Sequence, residues 1–263
     1  MSITVTPISA FNDNYIWLLS DGKYAVVVDP GQAAPVISAL EEQGLTLTDI
    51  LITHHHPDHV GGIPALKYFA SESLKRIIGP AAEIIEELTE KVNEGDTVSV
   101  LGNDFKVMDV GGHTKGHIAF YHAANEALGD TVFCGDTLFS CGCGRLFEGT
   151  PEQMLASLDK LTALPDDTLV YCAHEYTLPN IRFARAVDLA NTELALYERH
   201  CLALREEEKP TIPSSIGLEK KVNPFLRCDE PALRKMATTI KGQAITSRLD
   251  AFAALREWKD IFR

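Results

Sequence analysis

The chain has 263 residues, enough to bury a sizeable core as one large domain or two unequal ones. Its hydrophobic content of 45% and charged content of 23% are ordinary for a soluble globular protein, and no apolar run approaches the roughly 18 residues a membrane span needs. A net charge of −13 argues against general nucleic-acid binding, which needs a basic footprint.

In chain order, residues 3–8, 15–19 and 24–28 are rich in β-branched and aromatic side chains and are predicted strands, with Asp21-Gly22 as a hairpin turn. A helix is predicted over 33–43, stopped by Gly44. A strand at 50–53, a short helix at 63–70 and a strand at 76–78 follow. Residues 81–91 carry apolar side chains at Ile84, Ile85 and Leu88 and are predicted helical. Strands are predicted at 97–101, 105–110, 117–122, 127–134 and 169–173, with a helix at 151–161 that has proline in its first turn. From Pro179 the pattern is helical: two helices over 181–208 jointed at Asn191-Thr192, then helices at 231–240 and 247–262, with a long loop at 209–223.

Strands interrupted by helices in this irregular order point to an α/β (α+β) fold of two packed sheets covered by helices. The predicted domains are 1–172 and a helical 173–263. Charge divides in the same region. Residues 1–170 hold 24 acidic and 9 basic side chains, whereas 171–263 hold 13 and 15, so the C-terminal part is either a solvated helical surface, the commoner case, or a source of local positive charge for an anion. The six cysteines show no disulfide-scaffold spacing, and the N-terminus has no basic region followed by an apolar one. Reduced thiols and a cytoplasmic location are expected.

Four of the nine histidines fall in the seven residues Thr53-His54-His55-His56-Pro57-Asp58-His59. Side chains two apart on an extended segment point the same way, so His54 and His56 can meet one cation while His55 points elsewhere. Pro57 then bends the chain, and Asp58 and His59 can diverge toward a second cation. One segment cannot fill two coordination shells. His113, Asp136 and His174 each follow an apolar strand and a small residue, and are the natural remaining ligands. Asp136, a carboxylate, suits a bridging position. Imidazole and carboxylate accept zinc, iron or manganese. His117, four residues after His113, opens a strand and is read as structural, with support of the ligands as the alternative; His122 and His200 are read as surface or packing residues.

The run His54-His55-His56-Pro57-Asp58-His59 resembles the His-x-His-x-Asp-His signature of the metallo-β-lactamase superfamily. The segments Gly112–His117, Gly135–Phe139, Cys141–Thr150 and His174–Thr177 narrow the resemblance to the glyoxalase II (hydroxyacylglutathione hydrolase) family, as do Asn223–Arg227 and Arg256-Glu257-Trp258-Lys259-Asp260. The resemblance implies an αβ/βα metallo-β-lactamase sandwich followed by a smaller all-helical C-terminal domain. It implies two divalent metal ions, chiefly zinc: one on His54, His56 and His113, the other on Asp58, His59 and His174, with Asp136 between them. Asp58 and Asp136 would orient the attacking water. Arg145, Phe147, Tyr176, Arg256 and Lys259 would hold a glutathione thioester. Phe147 departs from the tyrosine the family often has, a loss of one hydrogen bond worth about 0.5–1.5 kcal/mol.

The implied reaction is hydrolysis of S-(2-hydroxyacyl)glutathione thioesters, chiefly S-D-lactoylglutathione, to glutathione and D-lactate, the second step of methylglyoxal detoxification. The expected protein is a monomer with no nucleic-acid or membrane partner. Rival readings are a one-iron persulfide dioxygenase, a lactonase or β-lactamase, a nuclease, catalysis by Cys141 or Cys143, and a metal-binding scaffold without activity.

Overall fold

The structure, a computed structural model, describes residues 2–262. Strands β1 (Thr4–Ala10), β2 (Asn14–Ser20) and β3 (Tyr24–Val28) form an antiparallel meander. Helix α1 (Ala33–Gln43) crosses to β4 (Thr46–Leu51), which lies parallel to β3. Helices α2 (Pro57–Val60) and α3 (Ile63–Phe69) lead to β5 (Arg76–Pro80), and β6 (Glu90–Val92) completes a six-stranded sheet in sequential order.

The second sheet begins with β7 (Thr97–Val100), β8 (Asn103–Asp109), β9 (Ile118–His122) and β10 (Thr131–Gly135). A small hairpin of β11 (Leu138–Phe139) and β12 (Gly142–Cys143) precedes α4 (Pro151–Thr162) and β13 (Leu169–Cys172). Then come α5 (Thr177–Val187), α6 (Thr192–Glu206), β14 (Ser214–Ser215), α7 (Ile216–Val222), α8 (Pro231–Lys241) and α9 (Arg248–Ile261). The sheet order is β14-β13-β10-β9-β8-β7, so a strand from the C-terminal part forms one edge.

Period-two alternation explains the layering. All seven residues of β2 are buried. Its Tyr15, Trp17 and Leu19 face the second sheet and share a core with Phe105, Phe120 and Phe133. Its Ile16 and Leu18 face the other way and pack with Val36 and Leu40 of α1 and Ile63 and Leu66 of α3. Helix α4 adds Met154, Leu158 and Leu161 to the same buried cluster. Each fully buried side chain of this kind contributes about 1.5–3 kcal/mol. Phe183, Phe225, Phe252 and Leu255 from the helical part belong to this same core. The fold is therefore the mixed α/β sandwich with a helical C-terminal region. No helix among the described residues is long and apolar enough to cross a membrane.

Two segments differ from expectation. Residues 81–89 are turns rather than helix. Their backbone is committed to tertiary bonds: Ala81 N donates to Val92 O and Thr89 N to Ile77 O, which precludes a helical ladder. Ile85 is buried while Ile84 is 92% exposed, so the apolar residues do not share one face. The predicted loop 209–223 holds β14 and α7, the latter capped by Ser215, whose hydroxyl accepts from Leu218 N.

Candidate metal centre and substrate cavity

The ligand-type residues follow the C-terminal ends of four strands, β4, β8, β10 and β13, which the sheets bring to one edge. The approach to Asp136 requires glycine. Gly135 has φ +48°, and a Cβ there would collide with the Thr53 hydroxyl and the His117 ring.

His54, His56 and His113 form one group of donors, and Asp58, His59 and His174 another; within each group the donor atoms lie within 4.8 Å of one another. Asp136 spans the two. Its Oδ2 is 3.4 Å from His113 Nε2 and 3.3 Å from His174 Nε2, and its Oδ1 is 3.5 Å from His59 Nε2.

Polar contacts on the far side of four of the rings fix which nitrogen faces the centre. His113 Nδ1 donates to Arg145 O at 2.8 Å and His174 Nδ1 to Asp13 Oδ1 at 2.9 Å. His54 Nδ1 meets the Thr53 hydroxyl at 3.1 Å, and His59 Nδ1 lies 3.1 Å from Asp29 Oδ2. Each of these four rings turns Nε2 inward, whereas His56 turns Nδ1 inward, 3.1 Å from both His54 Nε2 and His113 Nε2. Asn14 Nδ2 steadies Asp58 at 3.0 Å.

This arrangement fits cations. His59 Nε2 and Asp136 Oδ1 are buried with no hydrogen-bond partner. Orphaned buried polar atoms are costly, and a cation between them removes the cost. Burial alone would raise the Asp136 carboxyl, but His174 and His59 outweigh it and hold it well below the ordinary carboxylate range. Burial lowers His54 and His113, keeping both rings in the neutral form that ligates. These His/Asp clusters are suited to binding metal ions.

The centre opens into a cavity of about 610 Å³. His56, Asp58, His113, Asp136 and His174 line its floor, while His54 and His59 are fully buried behind them. Arg145, Phe147, Tyr176, Arg256 and Lys259 all line the same cavity. Phe147 sits edge-on to His113, with ring centres 5.3 Å apart, and Tyr176 stacks on His174 at 4.6 Å. Burial pushes the Tyr176 phenol far up, so its hydroxyl remains a donor.

The cations divide by their partners. Arg256 is 5% exposed; its Nη1 donates to Cys143 O at 2.7 Å and its Nη2 to Asp260 Oδ1 at 3.0 Å. Arg145 Nε lies 3.2 Å from the same Asp260 oxygen. Lys259 forms no ion pair among the described residues. Burial lowers its pKa, and the nearby Arg256, Arg182 and Arg145 lower it further.

Several supporting residues escaped the sequence reading. Asp13, Asp29 and Asn14 hold ligand side chains but lie far from them in sequence. His117, read as structural, stacks on His54 with ring centres 4.5 Å apart, and its Nε2 accepts the backbone N–H of Asp136 at 3.1 Å. Its i+4 spacing from His113 was the available signal. All six cysteines are free and buried, and burial raises the thiols of Cys141 and Cys143.

The metallo-beta-lactamase superfamily model matches residues 11–174, and the model for the hydroxyacylglutathione hydrolase C-terminus matches 175–262. The chain is 48% identical to a hydroxyacylglutathione hydrolase of Nitrosomonas eutropha, with 99% of this chain and 100% of the relative covered. It is 52% identical to one of Cupriavidus taiwanensis, again over 99% and 100%. Among solved structures, ETHE1 from Myxococcus xanthus superposes with a TM-score of 0.64 at 26% identity, covering 98% of this chain and 97% of that one. A metallo-beta-lactamase from Staphylococcus aureus shares the fold with a TM-score of 0.63 at 20% identity, over 98% of this chain and 71% of its own. Two adjoining family models and full-length likeness at about half identity agree: the chain belongs to the hydroxyacylglutathione hydrolase family, within the metallo-beta-lactamase superfamily.

Proposed function

We propose that the chain hydrolyses S-(2-hydroxyacyl)glutathione thioesters, chiefly S-D-lactoylglutathione, to glutathione and the 2-hydroxy acid. The observation that carries this reading is one cavity that joins five of the seven candidate metal donors, the other two lying directly behind them, to the cationic Arg145, Arg256 and Lys259. A thioester carbonyl needs an activated water, and glutathione brings carboxylates that need cations. His54, His56 and His113 would hold one divalent ion and Asp58, His59 and His174 a second, with Asp136 shared; the His/Asp set favours zinc, iron or manganese. Ions bound there supply Lewis acidity, which brings water's pKa toward neutrality and stabilises developing negative charge.

The chain's own groups do the rest. Asp58 and Asp136 are held as carboxylates and would orient the attacking water. Lys259 would take a glutathione carboxylate, with Arg145 and Arg256 adding to the positive field. Phe147 would cover the peptide, and the Tyr176 hydroxyl would donate to it. The leaving group is a thiol with a pKa near 8.5, which departs as the anion without a strong acid. The reading also takes the protein to be a cytoplasmic monomer that binds neither nucleic acid nor membrane.

Measuring metal stoichiometry together with hydrolysis of S-D-lactoylglutathione tests the proposal. About two ions per chain with thioester hydrolysis is the expected result. One iron with oxygen uptake and no thioesterase activity would reject it.

A further inference from the structure

Glu83 lies in the irregular stretch after β5, where solvent exposure is the rule for an acidic side chain. Its side chain is instead 3% exposed. One carboxylate oxygen accepts from His55 Nδ1 at 2.9 Å, and the other accepts from the Thr114 hydroxyl. Gly116 closes the niche, because any Cβ there would press on Glu83 Cγ and on Ala82. His55 is the one histidine of the 53–59 cluster outside both donor groups. Thr114 directly follows His113.

The carboxylate therefore joins two loops, the one carrying His54 and His56 and the one carrying His113, by a buried tie; Glu148, about one-third exposed, makes a second and looser one, with Oε1 3.4 Å from His55 Nε2 and Oε2 accepting from Lys115 N at 3.0 Å. Those loops lie 28 and 31 residues from Glu83 in sequence. A buried anion between two donors is a strong, directional tie.

We infer that Glu83 is a positioning residue for the His54/His56/His113 cation site: by gripping His55 and Thr114 it sets the spacing of the two ligand loops. This rests on reading those three histidines as a metal set. Glu83 touches neither substrate nor metal, so its effect is on metal affinity rather than on a chemical step. Hydrogen-bond partners of the ligands themselves typically change affinity by about 10- to 100-fold when removed, and Glu83 acts one residue further out, which puts its effect at the lower end of that range.

The test is zinc binding by the full chain, measured by competition with a chromophoric chelator. Glu83→Leu keeps the volume and deletes both hydrogen bonds. Glu83→Gln keeps both, since its oxygen accepts from His55 and its amide donates to the Thr114 hydroxyl. One of two zinc ions should bind about 10-fold more weakly in E83L and within about three-fold of wild type in E83Q. The other ion should be unaffected. If E83L does not fold, Thr114→Val removes one bond without adding strain. It should weaken the same ion. A folded E83L or T114V that holds both ions as tightly as wild type would overturn the inference, as would E83Q losing as much as E83L. Wild-type protein that binds no zinc at all would instead overturn the reading beneath it.

Discussion

At the cavity mouth the three cations differ in what they are free to do. Arg256 spends both terminal nitrogens on Cys143 O and Asp260, while Lys259 is the cation with an ammonium to spare. Its charge is present below its pKa and lost as pH rises through it. Because burial and three neighbouring arginines lower that pKa, the loss begins below the ordinary lysine value of about 10.4. KM for S-D-lactoylglutathione should rise on the alkaline side while that of Lys259→Met stays flat. A hydrogen bond to a charged group is worth about 1.5–3 kcal/mol, so K259M should raise KM by about 10- to 100-fold at neutral pH. The cysteines behave oppositely. Burial keeps Cys141 and Cys143 as thiols, so neither is a ready nucleophile. The double variant C141A/C143A, assayed in folded and metal-loaded form, should keep most of its kcat; near-complete loss would favour covalent catalysis.

Among the elements, the β11–β12 hairpin joins the metal centre to the substrate side. It follows Asp136 and precedes Arg145 and Phe147, and helices of the C-terminal part hold its backbone at five points. Asn180 Nδ2 donates to Ser140 O at 3.0 Å, and Asn223 Nδ2 to Phe139 O at 3.2 Å and Gly142 O at 2.9 Å. Arg256 takes Cys143 O, and Glu219 Oε2 accepts from Cys141 N at 2.8 Å. Asn223→Ala would strand two buried carbonyls at a cost of about 1–3 kcal/mol. We expect a lower Tm, and a KM that rises by a larger factor than kcat falls, because Arg145 and Phe147 lose their support. Unchanged KM in the folded variant would refute that link. Sequence periodicity could not reveal this hairpin, since two-residue strands carry no pattern. It also misread 81–91, where Ile84, Ile85 and Leu88 mimic a helical face, and 209–223, where two prolines masked the Ser215 cap. What was legible were residues following long apolar strands: His113, Asp136 and His174 each sit one or two small residues past one. Glu83 and Asp29 were not legible, because nothing local distinguishes a buried clamp from a surface acid.

For the whole molecule, the charge asymmetry seen in the sequence has a spatial counterpart. The acidic sandwich supplies His56, Asp58, His113 and Asp136 of the cavity floor, and the more basic C-terminal part supplies His174 and two of the three cations at the cavity wall. Neither half alone contains the complete cavity. The boundary between them is bridged by a strand, by shared aromatic packing and by the hairpin's side-chain bonds. The family resemblance described two successive domains. Only the folded chain shows that Phe183, Phe225 and Phe252 join the buried cluster of the sandwich, while Ile181, Leu194, Tyr197 and Val222 gather in a smaller one around Cys141.

The edge strand β14 carries a mechanical consequence. Loosening the C-terminal helices would peel Ser214 and Ser215 off β13, bare the outer flank of the second sheet and open its hydrophobic interior to water. The helices therefore cannot melt first and leave a stable sandwich behind. Calorimetry of the intact chain should show one transition, with calorimetric and van't Hoff enthalpies in agreement. Two resolved peaks would mean that the strand is a loose appendage rather than the seam along which the molecule holds together.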